Sequence, residues 1–148
     1  MNRVTLLWSL AIILASGYEC NAAEPGSDVL INAGDGVFTA EQAARGHDHY
    51  GQYCGACHRP DLSGGQGVPP LASDSFLRKW QGRQLQELFR QMSATMPKTA
   101  PHSLSDQVYA DIVAFLLESN GFPSGTKELK PEADALSHII IKDTIETH

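Results

Sequence analysis

The chain has few cysteines, no excess of positive charge and no long apolar run. It contains three cysteines, and Cys20 lies in a segment expected to be removed. A structural zinc site needs four ligands, and two remaining thiols with scattered histidines make a poor set. Lys and Arg number 11 against 17 Asp and Glu, a formal net charge of −6. Phosphate binding wants a basic footprint, so a nucleic-acid partner is not expected. The negative balance suits a basic patch on a protein partner and also serves as an ordinary solubility device. No stretch reaches the roughly 20 apolar residues of a membrane-spanning helix. Internal repeats and low-complexity tracts are missing too.

The N-terminus has the layout of a secretory signal peptide. Arg3 and the terminal amine make a positive start, and Val4 to Ala15 carries no charge. Cys20-Asn21-Ala22 or Asn21-Ala22-Ala23 then offers a cleavage site. Residues 1–23 are therefore expected to be a signal peptide and the mature chain to reside in the periplasm. The alternative is an uncleaved anchor, which would be the route to membrane contact. A lipoprotein reading of Cys20 is weaker, because Glu19 stands directly before it. Arg3 and Glu19 leave together, so cleavage does not alter the net charge. What remains suffices for one modest domain.

Cys54-Gly55-Ala56-Cys57-His58 is the most informative stretch. A C-x-x-C-H pentapeptide reads as a covalent c-type haem attachment site. Two thiols three positions apart can add to the vinyl groups along one haem edge. The adjacent imidazole can reach the iron as proximal ligand, and Gly55 and Ala56 leave room for the porphyrin. The rivals are a thioredoxin-like dithiol, which belongs to a βαβ context, and two buried cysteines without function, which leave His58 unexplained. The motif occurs once, so one covalent haem c is expected. Covalent attachment is completed outside the cytoplasm in bacteria, in agreement with export.

The mature chain reads as all-α. Residues 24–37 hold Pro25, Gly26, Gly34 and Gly36 without helical period and are expected to be a loop. Thr39-x-x-Gln42 fits a capping box, with Gln42 reaching back at the start of a first helix. Ala43, Gly46, Tyr50 and Tyr53 follow at helical spacing. Gly46 in mid-helix costs about 1 kcal/mol against Ala, a cost that a close helix crossing would justify. Residues 59–73 are loop. Residues 74–80 and 83–92 read as short helices separated by Gly82, the second with Leu85, Leu88, Phe89 and Met92 on one face. A further helix starts after Ser105, with Val108, Ile112, Phe115 and Leu116 on one face and Asp106 and Asp111 toward its positive end. Asn120-Gly121 stops it, and Pro123 supports the stop.

The ordered set of Gly46-x-x-x-Tyr50, the pentapeptide, Pro69-Pro70-Leu71, Met96-Pro97 and Asp111-Ile-Val-Ala-Phe115-Leu-Leu resembles a class I cytochrome c domain spanning residues 38–122. The stretch from Phe76 through Trp80 and Leu88 to Met96-Pro97 is similar to mono-haem periplasmic cytochromes found with bacterial quinoprotein and other dehydrogenases. So is the ending Asn120 to Gly125. The resemblance implies an all-α fold whose N- and C-terminal helices cross near Gly46 and Phe115 around one covalent haem. It implies His58 on one side of the iron and a methionine on the other. It also implies that the Pro69 carbonyl accepts the second ring hydrogen of His58, a bond that fixes the tautomer.

Met92 and Met96 are the thioethers of the mature chain. Met92 sits at an apolar helix position, where packing explains it. Met96 precedes Pro97, and a pre-proline residue favours extended backbone, which suits a strap across a haem face. Met96 is therefore the expected sixth ligand, with Met92, His102 on the same loop or an open site as alternatives. His47 and His49 read as surface residues, and His138 and His148 as parts of a solvent-facing tail. Leu71, Trp80, Leu85, Leu88 and Phe89 are pocket candidates. Arg78, Lys79, Arg83 or Trp80 would bond a propionate.

Two side-chain ligands leave no iron position for a substrate, so the expectation is an electron carrier rather than an enzyme. Its expected partners are a dehydrogenase as donor and an oxidase or another cytochrome as acceptor. The alternatives are a haem enzyme or gas sensor with an open or displaceable sixth position, and a fixed haem subunit of a dehydrogenase or oxidase complex. Residues 123–148 are read as a tail packing on the domain, since Ile139-Ile140-Ile141 is costly to leave wet.

Overall fold

A computed structural model describes residues 29–142. The expected signal peptide at residues 1–23, Cys20 within it, and His148 lie outside the described residues. The architecture is mostly helical, as the sequence led one to expect. A short strand, β1 (Ile31–Asn32), and one 3₁₀ turn precede α1 (Ala40–Tyr53) and α2 (Gly55–His58). Then follow α3 (Asp74–Trp80), α4 (Leu85–Thr95), α5 (Asp106–Ser119), α6 (Ala133–Ser137) and β2 (Ile139–Ile140). None of these helices is long and apolar enough to cross a membrane.

Hydroxyl caps set three helix starts. Thr39 accepts from the Gln42 amide, Ser73 from Phe76 and Ser105 from Val108. Each such cap contributes about 1 kcal/mol by satisfying an otherwise unpaired amide. At the other end of α5, Asn120 and Gly121 (φ +87°) close the helix.

The crossing of α1 and α5 organises the core. A Cβ on Gly46 would lie 1.9 Å from the Asp111 carbonyl oxygen and 2.9 Å from the Phe115 Cβ. The glycine thus permits a backbone approach closed to any other residue, and this offsets its poor helix propensity. Tyr50 packs on Phe115 with ring centroids 5.3 Å apart. Ala110, Ile112, Val113, Ala114, Leu116 and Leu117 are all buried around them.

Three local expectations change. The Gln42 side chain does not reach back to its own helix start. It is fully buried, accepts from the Leu129 amide at 2.6 Å and donates to the Leu129 carbonyl at 2.9 Å and to Asp111 at 3.1 Å. A distant segment offers it two backbone partners, and burial demands that both be used. Asp111, toward the positive end of α5, shares this network. It is buried and accepts from Arg45 Nε at 3.2 Å and from Gln107 at 2.8 Å.

The stretch read as a loop over 24–37 contains, in its described part, β1 and the 3₁₀ turn at Ala33–Asp35. β1 pairs in parallel with β2, Ile31 opposite Ile139 and Asn32 opposite Ile140. Such a two-residue pairing is dictated by the distant tail and leaves no local period. The same tail alters the helix expected at 83–92. Gly82 donates to Ile141 and Ile141 to Arg83, with Gln84 bridging Ile140, so α4 begins at Leu85 and runs to Thr95. Leu129, Leu136, Ile139 and Ile141 are buried. Each such side chain contributes about 1.5–3 kcal/mol on burial.

Candidate functional site

The site begins where α1 stops. Cys54 caps α1 and opens the single turn of α2, so the two cysteines and His58 share one tight bend. Cys57 and His58 both donate backbone bonds to the Cys54 carbonyl, at 3.1 and 2.9 Å. Cys54 is half-buried, Cys57 exposed and His58 buried. Burial, and then the neighbouring Cys57, pushes the Cys54 thiol up to about 11. Desolvation disfavours the thiolate there, whereas a neutral thioether would suffer no such penalty.

His58 is oriented by the following loop. Its Nδ1 lies 3.1 Å from the Pro69 carbonyl. A carbonyl only accepts, so Nδ1 carries the hydrogen and Nε2 is left as the basic nitrogen. Gly64 leaves room for that carbonyl. It has φ +70° and donates to the His58 carbonyl at 3.0 Å. A Cβ there would meet the Val68 oxygen at 2.4 Å and the Pro69 oxygen at 2.8 Å. Behind the motif, the Tyr50 hydroxyl donates to the Arg59 carbonyl at 2.6 Å.

Cys54, Cys57, His58, Met92 and Met96 all line one cavity of about 320 Å³. Leu71, Phe76, Trp80, Leu88, Ile112 and Leu116 give it apolar walls. Of the pocket candidates, Leu85 and Phe89 are core residues away from this lining. Met96 follows α4 with extended backbone (φ −127°, ψ 151°), and its carbonyl accepts from the Tyr109 hydroxyl at 2.7 Å. Met92 sits one turn earlier on α4. His102 is exposed and outside the lining.

Of the propionate candidates, Lys79 and Trp80 line the cavity and Arg78 does not. Arg83 lies in a neighbouring cleft with Glu87 and Arg90, and its Nη2 is 2.6 Å from Glu87. Lys79 and Arg83 each place a cation over the Trp80 ring, at 4.8 and 5.2 Å from its centre.

This donor set suits a c-type haem. Two thiols and a buried imidazole of fixed tautomer share one wall, and two thioethers occupy the same apolar cavity. Among the described residues no group of three His, Cys, Asp or Glu is placed to hold a metal ion by itself. Gly64, Tyr50 and Tyr109 were not singled out by sequence as supports of the site. The closely spaced glycines at 64, 65 and 67 hinted at the first, whereas the two phenols look like ordinary core residues.

The family model described as cytochrome c oxidase, cbb3-type, subunit III matches residues 41–116. That span runs from the first turn of α1 to Leu116 of α5 and includes the pentapeptide and both methionines. No curated protein and no solved structure matches the chain.

Proposed function

The chain belongs to the cytochrome c oxidase, cbb3-type, subunit III family, and from that premise we propose that it is an exported carrier of single electrons. In this reading it passes electrons from a periplasmic dehydrogenase to an oxidase or another acceptor. A class I c-type cytochrome domain for haem electron transfer follows from the family itself. The observation that supports the carrier reading is the convergence of Cys54, Cys57, His58 and Met96 on one apolar cavity.

Haem, when bound, supplies a one-electron ferric–ferrous couple. The chain's own residues do the rest. Cys54 and Cys57 hold the group covalently, and His58 offers Nε2 because Pro69 engages Nδ1. Met96 offers a thioether, a ligand type that raises the potential. The apolar walls disfavour the more highly charged ferric state. Trp80 and Lys79 border the cavity as propionate partners.

The deciding experiment is production with a haem-attachment system, followed by haem-stained denaturing gels, a redox titration and fractionation. One covalent haem, a reversible one-electron transition and recovery from the periplasm support the reading. Colour that extracts into acid acetone counts against it. A second reading, a fixed haem subunit, is favoured by the family description itself, which names a subunit of an oxidase. Stoichiometric co-purification with an oxidase from native membranes would decide for it.

A further inference from the structure

The residue that ends α5 does more than cap a helix. The Asn120 side chain donates to the Leu116 carbonyl and to the Leu71 carbonyl, both at 2.8 Å, and accepts from the Ser73 amide at 3.2 Å. These partners settle which way the side-chain amide points, because a carbonyl only accepts and a backbone N–H only donates. Both donor hydrogens and the acceptor oxygen are therefore used. Aspartate has no donor and serine has one, so neither reproduces the set.

The far ends of two of these bonds lie at the cavity. Leu71 lines it, and its own amide donates to the Leu62 carbonyl at 2.9 Å. Pro69 stands two residues before Leu71. The ring of Pro70 between them locks φ, so displacement of the Leu71 carbonyl carries to the Pro69 carbonyl. That carbonyl is the partner of His58 Nδ1. Ser73 is the N-cap of α3, where its hydroxyl accepts from the Phe76 amide at 3.3 Å. α3 delivers Phe76, Lys79 and Trp80 to the cavity wall. One side chain thus ties two walls of the cavity to the helix that crosses α1. Position 120 also lies beyond the span that the family model matches, residues 41–116.

We propose that Asn120 is a positioning residue for the His58 imidazole, acting through Pro69–Leu71, and for the α3 wall, acting through Ser73. The inference rests on the haem reading of the site. Groups that orient a metal-binding histidine affect a metal site by roughly tenfold or more without touching the metal.

The test is hydrogen exchange in the haem-loaded, ferrous, ¹⁵N-labelled protein. The His58 Nδ1 hydrogen is compared with amides in the middle of α1. Asn120→Asp keeps the acceptor and removes both donors. It should speed exchange at His58 Nδ1 by about tenfold relative to α1 and leave the Ser73 amide protected. Asn120→Ala removes all three bonds and should expose both sites. Thr39→Ala deletes a cap at the end of α1 away from the cysteines. It should speed exchange without favouring His58. In the wild type the two side-chain hydrogens of Asn120 should themselves exchange slowly.

A uniform increase in Asn120→Asp, with His58 no faster than α1, makes Asn120 a plain helix cap and overturns the proposal. Fast exchange of the Asn120 side-chain hydrogens in the wild type also overturns it, and that result stands even where a variant loads no haem. A wild type that takes up no covalent haem sinks the haem reading itself, and the inference falls with it.

Discussion

The Tyr109 hydroxyl, on α5, donates a 2.7 Å hydrogen bond to the carbonyl of Met96, on the loop beyond α4. It ties the expected sixth ligand to the helix that crosses α1. The Tyr109 ring is buried and stands edge-on to Phe89, centroids 6.1 Å apart. The position of the Met96 loop is therefore set from the core.

Tyr109→Phe keeps the ring and removes only this bond. The expected loss of stability is about 1 kcal/mol, the usual net value of one hydrogen bond. The more telling outcome is faster binding of cyanide to the oxidised protein, because the Met96 loop opens more often. Stopped-flow cyanide binding with unchanged α-helical circular dichroism would show it, and an unchanged cyanide rate would mean that the bond has no hold on the ligand.

Local signals in the sequence carried α1, α3, α4, α5 and the pentapeptide, but not α2 or the short α6 of the tail. Thr39, Ser73 and Ser105 sit at helix starts where hydroxyls belong, and Cys54 to His58 needs only its own spacing to be read. Most of the misses in the fold share one cause, long-range pairing. Gln42 is three residues from Thr39 in sequence but spends its amide on Leu129, 87 positions away. β1 exists because Ile139 and Ile140 reach Ile31 and Asn32. Arg83 and Gln84 are held off α4 by Ile140 and Ile141. Side chains and backbone committed to distant partners leave no trace in a local period.

Two glycines of α1 make a contrasting pair. Gly46→Ala drives a methyl into the Asp111 carbonyl, backbone against backbone, and α1 and α5 must separate. A loss of about 3 kcal/mol is expected, at the upper end for overpacking. Gly51 has nothing within 4 Å of an added Cβ. Gly51→Ala should stabilise by up to about 1 kcal/mol through helix propensity. Chemical denaturation of the haem-loaded variants separates the two, and equal effects would contradict the close crossing.

The Tyr50 phenol gives a signed pH prediction. Burial pushes its pKa from 10.0 up to about 12. The folded state thus favours the neutral phenol more than the unfolded state does. The stability it contributes is fully present below pH 10 and is lost as pH rises toward 12. Tyr50→Phe should lower stability at neutral pH through the lost bond to the Arg59 carbonyl. It should also flatten the decline between pH 10 and 12. Denaturation midpoints measured across that range check the sign.

Met92 and Met96 line the same cavity, so the choice between them turns on backbone and support. Met92 is on α4, where its side chain also packs beside the core. Met96 is on extended backbone beyond the helix end, braced by Tyr109. The oxidised protein is expected to show a weak sulfur-to-iron charge-transfer band toward the red end of the spectrum. Met96→Ala should abolish it, admit exogenous ligands and lower the reduction potential, since a thioether favours the ferrous state and water would enter. Met92→Ala should keep the band and cost packing, up to about 2–5 kcal/mol for a fully buried Met and less here because the side chain is only partly buried. The reverse pattern would move the ligand to Met92 and leave the carrier reading standing. Retention of the band in neither wild type nor variants, with rapid carbon monoxide binding by the wild type, would make an open-site haem enzyme or sensor the better account.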